Sequence, residues 1–182
     1  MLLAAAVLTA CSGLLDSKAP PVRTYWLEPL EGPGPTAEGP TLSVRVHAVP
    51  GLDTNRLLTL GPGQALSHFS GARWAGASPE MAASLLTRSL SDSGRYSRVG
   101  REGRLRDAEC DLDLELQRFF TRLNENQAPR TVEIKLEGVL RCGTTAQAIR
   151  ISADQRVAGG DASGVVAAHQ QAMNTVTREL IS

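Results

Sequence analysis

Few residues in this chain could carry chemistry. Three cysteines (Cys11, Cys110, Cys142) and three histidines (His47, His68, His169) are the soft ligands and nucleophiles on offer. The histidines are scattered, with no His-x-x-x-His or His-x-His spacing, so no metal-ligand set is written in the sequence. No Gly-x-Ser-x-Gly elbow or phosphate-cradling glycine loop occurs. Asp111, Asp113 and Glu115 alternate along one stretch, where carboxylates on the polar face of a strand ordinarily meet water. The expectation is a non-enzyme with no catalytic residues, no metal and no cofactor, although a triad assembled from distant residues stays open at this point.

Cys11 is different because of what precedes it. Residues 1–10, MLLAAAVLTA, are apolar except for Thr9. At about 1.5 Å per residue such a run spans roughly half of a ~30 Å hydrocarbon core, too short to cross it. It has the length of the apolar centre of a secretory signal peptide. Its end, Leu8-Thr9-Ala10-Cys11, resembles the bacterial lipobox, in which a peptidase cuts before a cysteine whose thiol has accepted diacylglycerol. The chain is therefore expected to divide into a signal peptide (1–10), a lipidated N-terminus and tether (11–24) and one folded domain (25–182). Two or three acyl chains on one cysteine make an effectively permanent anchor, where a single chain is marginal. No Lys or Arg precedes the apolar run, and Ser12 after the cysteine favours the outer membrane over the inner.

Export would leave Cys110 and Cys142 in an oxidising compartment. Leu112, Leu114 and Leu116 alternate with Asp111, Asp113 and Glu115 as a half-buried strand, and Ile134 and Leu136 alternate with Glu133, Lys135 and Glu137 as another. Between them NENQAPR is a loop by composition. Pairing the strands about Asn126 sets Leu116 opposite Leu136 and Cys110 opposite Cys142, which predicts a cross-strand disulfide. A bulge at Gly138 would shift that register.

A third candidate is the stretch 64–75, QALSHFSGARWA, rich in aromatic and polar groups for a chain with 4% aromatics. Phe69, Arg73 and Trp74 could anchor a partner, since Trp and Arg are frequent interface hot spots. The competing expectation, favoured here, packs Trp74 over the core.

The elements that must position these residues follow from periodicity. Tyr25-Trp26-Leu27 reads as an edge strand, 28–40 as a loop, Thr41–Val49 as a strand ended by Pro50-Gly51, and Asn55–Leu60 as another. Ser78-Pro79-Glu80 suggests an N-cap, a proline at the first helical position and an acid in the first turn. Met81, Leu85, Leu86 and Leu90 continue that helix, with Gly94 as its C′ residue. Strands near 95–99, 110–120, 131–142 and 148–157 come next. Asp161 caps a last helix whose stripe is Val165, Ala168, Ala172, Val176 and Leu180; His169 lies beside the stripe, where a surface or satisfied histidine is expected. The fold class is α/β, an α+β sandwich of a mixed sheet covered by two main helices in a single domain.

Charge excludes one class of partner. Lys plus Arg and Asp plus Glu are equal at 19 each, so no global field recruits nucleic acid. The arginines between 95 and 106 are diluted by Glu102, Asp107 and Glu109, as in a solvated loop.

The lipobox, Tyr25-Trp26-Leu27, Leu42-Ser43-Val44-Arg45-Val46, Val49-Pro50-Gly51-Leu52-Asp53, Asn55-Arg56-Leu57, Ala72-Arg73-Trp74-Ala75 and the Ala-rich terminal helix, in this order, resemble the ABC-type transport auxiliary lipoproteins of the paraquat-inducible protein C type. The resemblance implies a lipid-anchored protein on the periplasmic face of the outer membrane. Its partners would be a mammalian-cell-entry-domain protein and an ABC permease and ATPase, in a phospholipid transport system between the two membranes. It supplies a defined role only for Cys11 and leaves a homo-oligomer open. The rival is a stand-alone structural or assembly lipoprotein of the outer membrane; a periplasmic hydrolase is a weaker third.

Overall fold

The structure, a computed structural model, describes residues 21–105 and 107–182. Cys11 and the signal segment lie outside the described residues.

The two strands with the clearest alternation organise the molecule. β6 (Cys110–Leu123) and β7 (Pro129–Cys142) run antiparallel, with Leu116 opposite Leu136 and Cys110 opposite Cys142. Leu112, Leu114, Leu116, Ile134 and Leu136 are all buried on one face of this pair. β8 (Thr145–Arg156) pairs antiparallel with the far edge of β7. The other edge of β6 is shared. Its first half takes β2 (Thr41–Ala48), parallel, from Leu42↔Cys110 to Ala48↔Leu116; its second half takes β3 (Arg56–Leu60), at Thr59↔Thr121 and Leu60↔Arg122. The change of neighbour coincides with a register shift between Leu116 and Arg118. A bulge there turns the strand and lets one edge serve two partners.

Beyond β2 lies β5 (Arg98–Arg101), parallel to it. Beyond β3 come β4 (Leu66–Trp74), antiparallel, and β1 (Arg23–Tyr25), parallel to β4 at the edge. The result is an open, mixed eight-stranded sheet that forks at β6. Two helices cover one face: α1 (Ser78–Ser91) packs on β2 and β5, and α2 (Ala162–Ile181) on β7 and β8. β3 differs from its neighbours because Leu57, Leu58, Thr59 and Leu60 are all buried, so both of its faces are covered.

The helices touch each other little because chain runs between them. Residues 26–36 form a strap. Gln170 of α2 accepts from the Glu28 N–H (2.7 Å) and donates to the Glu28 carbonyl (2.9 Å). Ser89 Oγ of α1, itself buried, accepts from the Leu30 N–H at 2.9 Å. Gly34 and Thr36 then donate to the carbonyls of Asp92 and Tyr96. Leu27, within the strap, is buried in the core. Gly32 is required here: a Cβ would lie 2.1 Å from the Asp92 carbonyl oxygen. The stretch that composition marks as a loop is thus tied down by backbone and side-chain bonds along its length.

Several local expectations shift. The first strand begins at Arg23, two residues before the domain boundary read from the sequence. Ser78 is the first helical residue rather than the N-cap; Ala77 occupies the cap and the Ser78 hydroxyl donates to the Leu52 carbonyl instead. Gly94 has the positive φ expected of a helix stop (75°), but two positions past the C-cap Asp92. The strand placed near 95–99 lies at 98–101, so part of the arginine-rich stretch is edge strand rather than loop. No bulge forms at Gly138. That residue pairs with Leu114, and a Cβ on it would lie 2.0 Å from the Asp113 carbonyl oxygen, so glycine is there to let β6 and β7 approach. Asp161 does cap α2, accepting from the Gly164 N–H at 2.9 Å.

Candidate functional site

The residues singled out by sequence fall in three places. Cys110 and Cys142 are bonded, with Cα atoms 4.2 Å apart, at the end of the β6–β7 ladder. They stand 32 positions apart in sequence. The bond closes the base of the hairpin, so it holds the register that sets Leu114 and Leu116 toward the helices.

The acidic ladder lies on the opposite, open face. β2 brings Arg45 and His47 beside it: Arg45 Nη1 is 3.8 Å from Asp113, and His47 reaches Asp113 at 3.5 Å and Glu115 at 3.8 Å. Arg45 also pairs with Glu102. These groups are between a third and a half exposed, so the pairs are worth little each, and among the described residues no three His, Cys, Asp or Glu side chains converge as metal ligands. Further along the open face Glu133 is buried although it is a carboxylate. Arg118 (3.0 Å) and Arg122 hold it, and Arg122 also lies over the Phe120 ring, 5.9 Å from its centroid. The hydrogen bond from Arg122 pulls the Glu133 carboxyl below its ordinary range, against the opposing effect of burial. Of this cluster the sequence showed only Glu133, as one of the charges alternating along its strand.

The 64–75 stretch is split by the pleat of β4. Trp74 is 1% exposed and packs with Phe119 (5.7 Å between centroids) and His169 (5.1 Å). It is a core residue and cannot anchor a partner, which corrects the interface reading for Trp74. Phe69 is half-buried against the core, and Arg73 is exposed with its Nε donating to Thr24 Oγ1 at 3.2 Å. The three side chains therefore do not form one surface.

His169 was expected at the surface or satisfied; it is fully buried. Its Nδ1 lies 3.0 Å from the Val165 carbonyl, and its Nε2 has no partner, as is true of Trp74 Nε1 and Thr121 Oγ1. Burial lowers its pKa to about 4, so the ring is neutral at pH 7. An edge-on ring between Trp74 and Phe119 is a packing role.

What the sequence reading missed at the surface is Trp26. Placed in an edge strand by the alternation, it sits one residue past β1, 50% exposed, with the Arg88 guanidinium of α1 5.0 Å from its ring centroid. Among the described residues, no helix is long and apolar enough to cross a membrane.

Comparison with known proteins places the whole body. A family model for the ABC-type transport auxiliary lipoprotein component matches residues 25–181. Among solved structures, protein XCC0632 from Xanthomonas campestris, assigned to the family DUF330, superposes with a TM-score of 0.75 at 22% identity, covering 88% of this chain and 93% of that one. A second crystal structure, of an uncharacterized protein, gives 0.69 at 13% identity over 88% and 97%. At these identities the likeness is one of fold. No curated protein matches in sequence. The chain belongs to the ABC-type transport auxiliary lipoprotein component family.

Proposed function

We propose that this protein is a non-catalytic auxiliary of a phospholipid transport system, held by acylated Cys11 on the periplasmic face of the outer membrane. There it docks on a mammalian-cell-entry-domain assembly served by an ABC permease and ATPase. The family match over 25–181 carries this reading, and the lipobox Leu8-Thr9-Ala10-Cys11 supports the anchor. The body suits a docking role: the sheet leaves one broad face of mixed charge open, and the cystine fixes the register of the β6–β7 pair that forms part of it. Tethering raises the local concentration of the body at a partner spanning the periplasm, so a modest interface suffices.

Crosslinking in intact cells followed by capture of the tagged, acylated protein tests the partnership. Recovery of a mammalian-cell-entry-domain protein or its permease is the expected result. Recovery of an outer-membrane barrel and its assembly factors alone would favour the stand-alone assembly lipoprotein instead.

A further inference from the structure

We propose that the Trp26 corner of the body rests on the same bilayer that holds the anchor, as a second and non-covalent membrane contact; this rests on the lipidation of Cys11 proposed above. Exposed large apolar side chains among the described residues are few: Val22 (54%), Trp26 (50%) and Leu66 (48%). Two of them bracket β1, the strand through which the chain enters the body from Cys11.

Trp26 is not a frayed end. Tyr25 before it is in register with Trp74, and Leu27 after it is buried. The strap that follows is bonded to both helices. A half-exposed tryptophan is thus held on a fixed mount, although the fold shows with Trp74 that it can bury one completely. An indole with an apolar body and one N–H suits the headgroup layer of a bilayer, where tryptophan is enriched. Arg88 lies over the ring, and Arg73 is bound to Thr24 two residues upstream. Guanidinium groups there are matched to lipid phosphates.

Distance favours the bilayer over other occupants. Eleven residues lead from Cys11 to Val22, at most about 40 Å at full extension. A corner tethered so closely meets the surface at an effective concentration in the millimolar range, so weak affinity is enough to seat it.

The test uses the acylated full-length protein, made in a bacterium with intact export, in vesicles of phosphatidylethanolamine and phosphatidylglycerol with or without brominated acyl chains. The two tryptophans separate cleanly, since Trp74 is sealed in the core. The expected result is flotation with the vesicles, a blue shift, quenching of one emission component by brominated lipid, and loss of that component in Trp26→Phe. Protein that floats while its emission stays unquenched by brominated lipid and open to aqueous iodide overturns the contact and leaves the anchor standing. Shielding from iodide without quenching by brominated lipid assigns the corner to a second copy, and also overturns it. Protein that does not float overturns the anchor and this contact together.

Discussion

At the scale of single residues, the buried His169 makes the body sensitive to acid. Its pKa in the fold is about 4, below the ordinary value near 6.5. Between these values the unfolded chain binds the proton and the folded one does not, so stability is complete above about pH 6.5 and falls as pH drops toward 4. The loss between pH 7 and pH 5 is about 2 kcal/mol. Urea denaturation at the two pH values should show it, and His169→Leu should remove most of the difference. Equal slopes in both proteins would mean the ring is hydrated or charged in the fold. Glu133 acts in a lower window with the same direction. Arg122 holds its carboxyl below the usual range, so its contribution is present above the ordinary carboxylate pKa and is lost only as pH falls below it. Because its arginine partners are partly exposed, Glu133→Gln should cost about 1–2 kcal/mol at pH 7 by the same denaturation measurement.

At the scale of elements, two features of the β6–β7 hairpin are open to direct test. Reducing the cystine, or Cys110→Ser with Cys142→Ser, should lower stability by roughly 2–4 kcal/mol, read as a shift in denaturation midpoint with and without reductant. Gly138→Ala should cost about 1–3 kcal/mol, because its Cβ meets backbone rather than a movable side chain; an unchanged midpoint would show that β6 and β7 can separate locally at no expense. The sequence made this hairpin readable because side-chain parity and the two cysteines constrain one register together. It could not show why Gly138 is there, since a close backbone approach and a bulge look alike in a single chain. The strap was hidden for a related reason. Gly and Pro in EPLEGPGPTAEGP state that the backbone is irregular, but its partners, Gln170 and Ser89, lie far along the chain.

At the scale of the whole molecule, alternation and helical spacing specify which face of each element is buried, and so gave the class of fold: a mixed sheet under two helices. They do not say which strands are neighbours. The fork at β6, where β2 and β3 share one edge, depends on a bulge whose only sequence trace is the passage from alternating Leu112-Leu114-Leu116 to the adjacent pair Phe119-Phe120. For His169 the sequence left surface and satisfied positions open, because a polar residue beside an apolar stripe also reads as its border; two aromatic rings extend the core around it, and its Nδ1 is bonded to the Val165 carbonyl. Trp26 escaped notice because pattern alone does not separate an indole packed inside from one held at the surface. The functional reading rests on the family match and on one thiol. Density-gradient fractionation of cells making the wild type or Cys11→Ala tests it most directly. The account predicts wild type in the outer-membrane fraction and Cys11→Ala, which can be neither acylated nor cut at the lipobox, absent from it; identical distributions of the two proteins would contradict it.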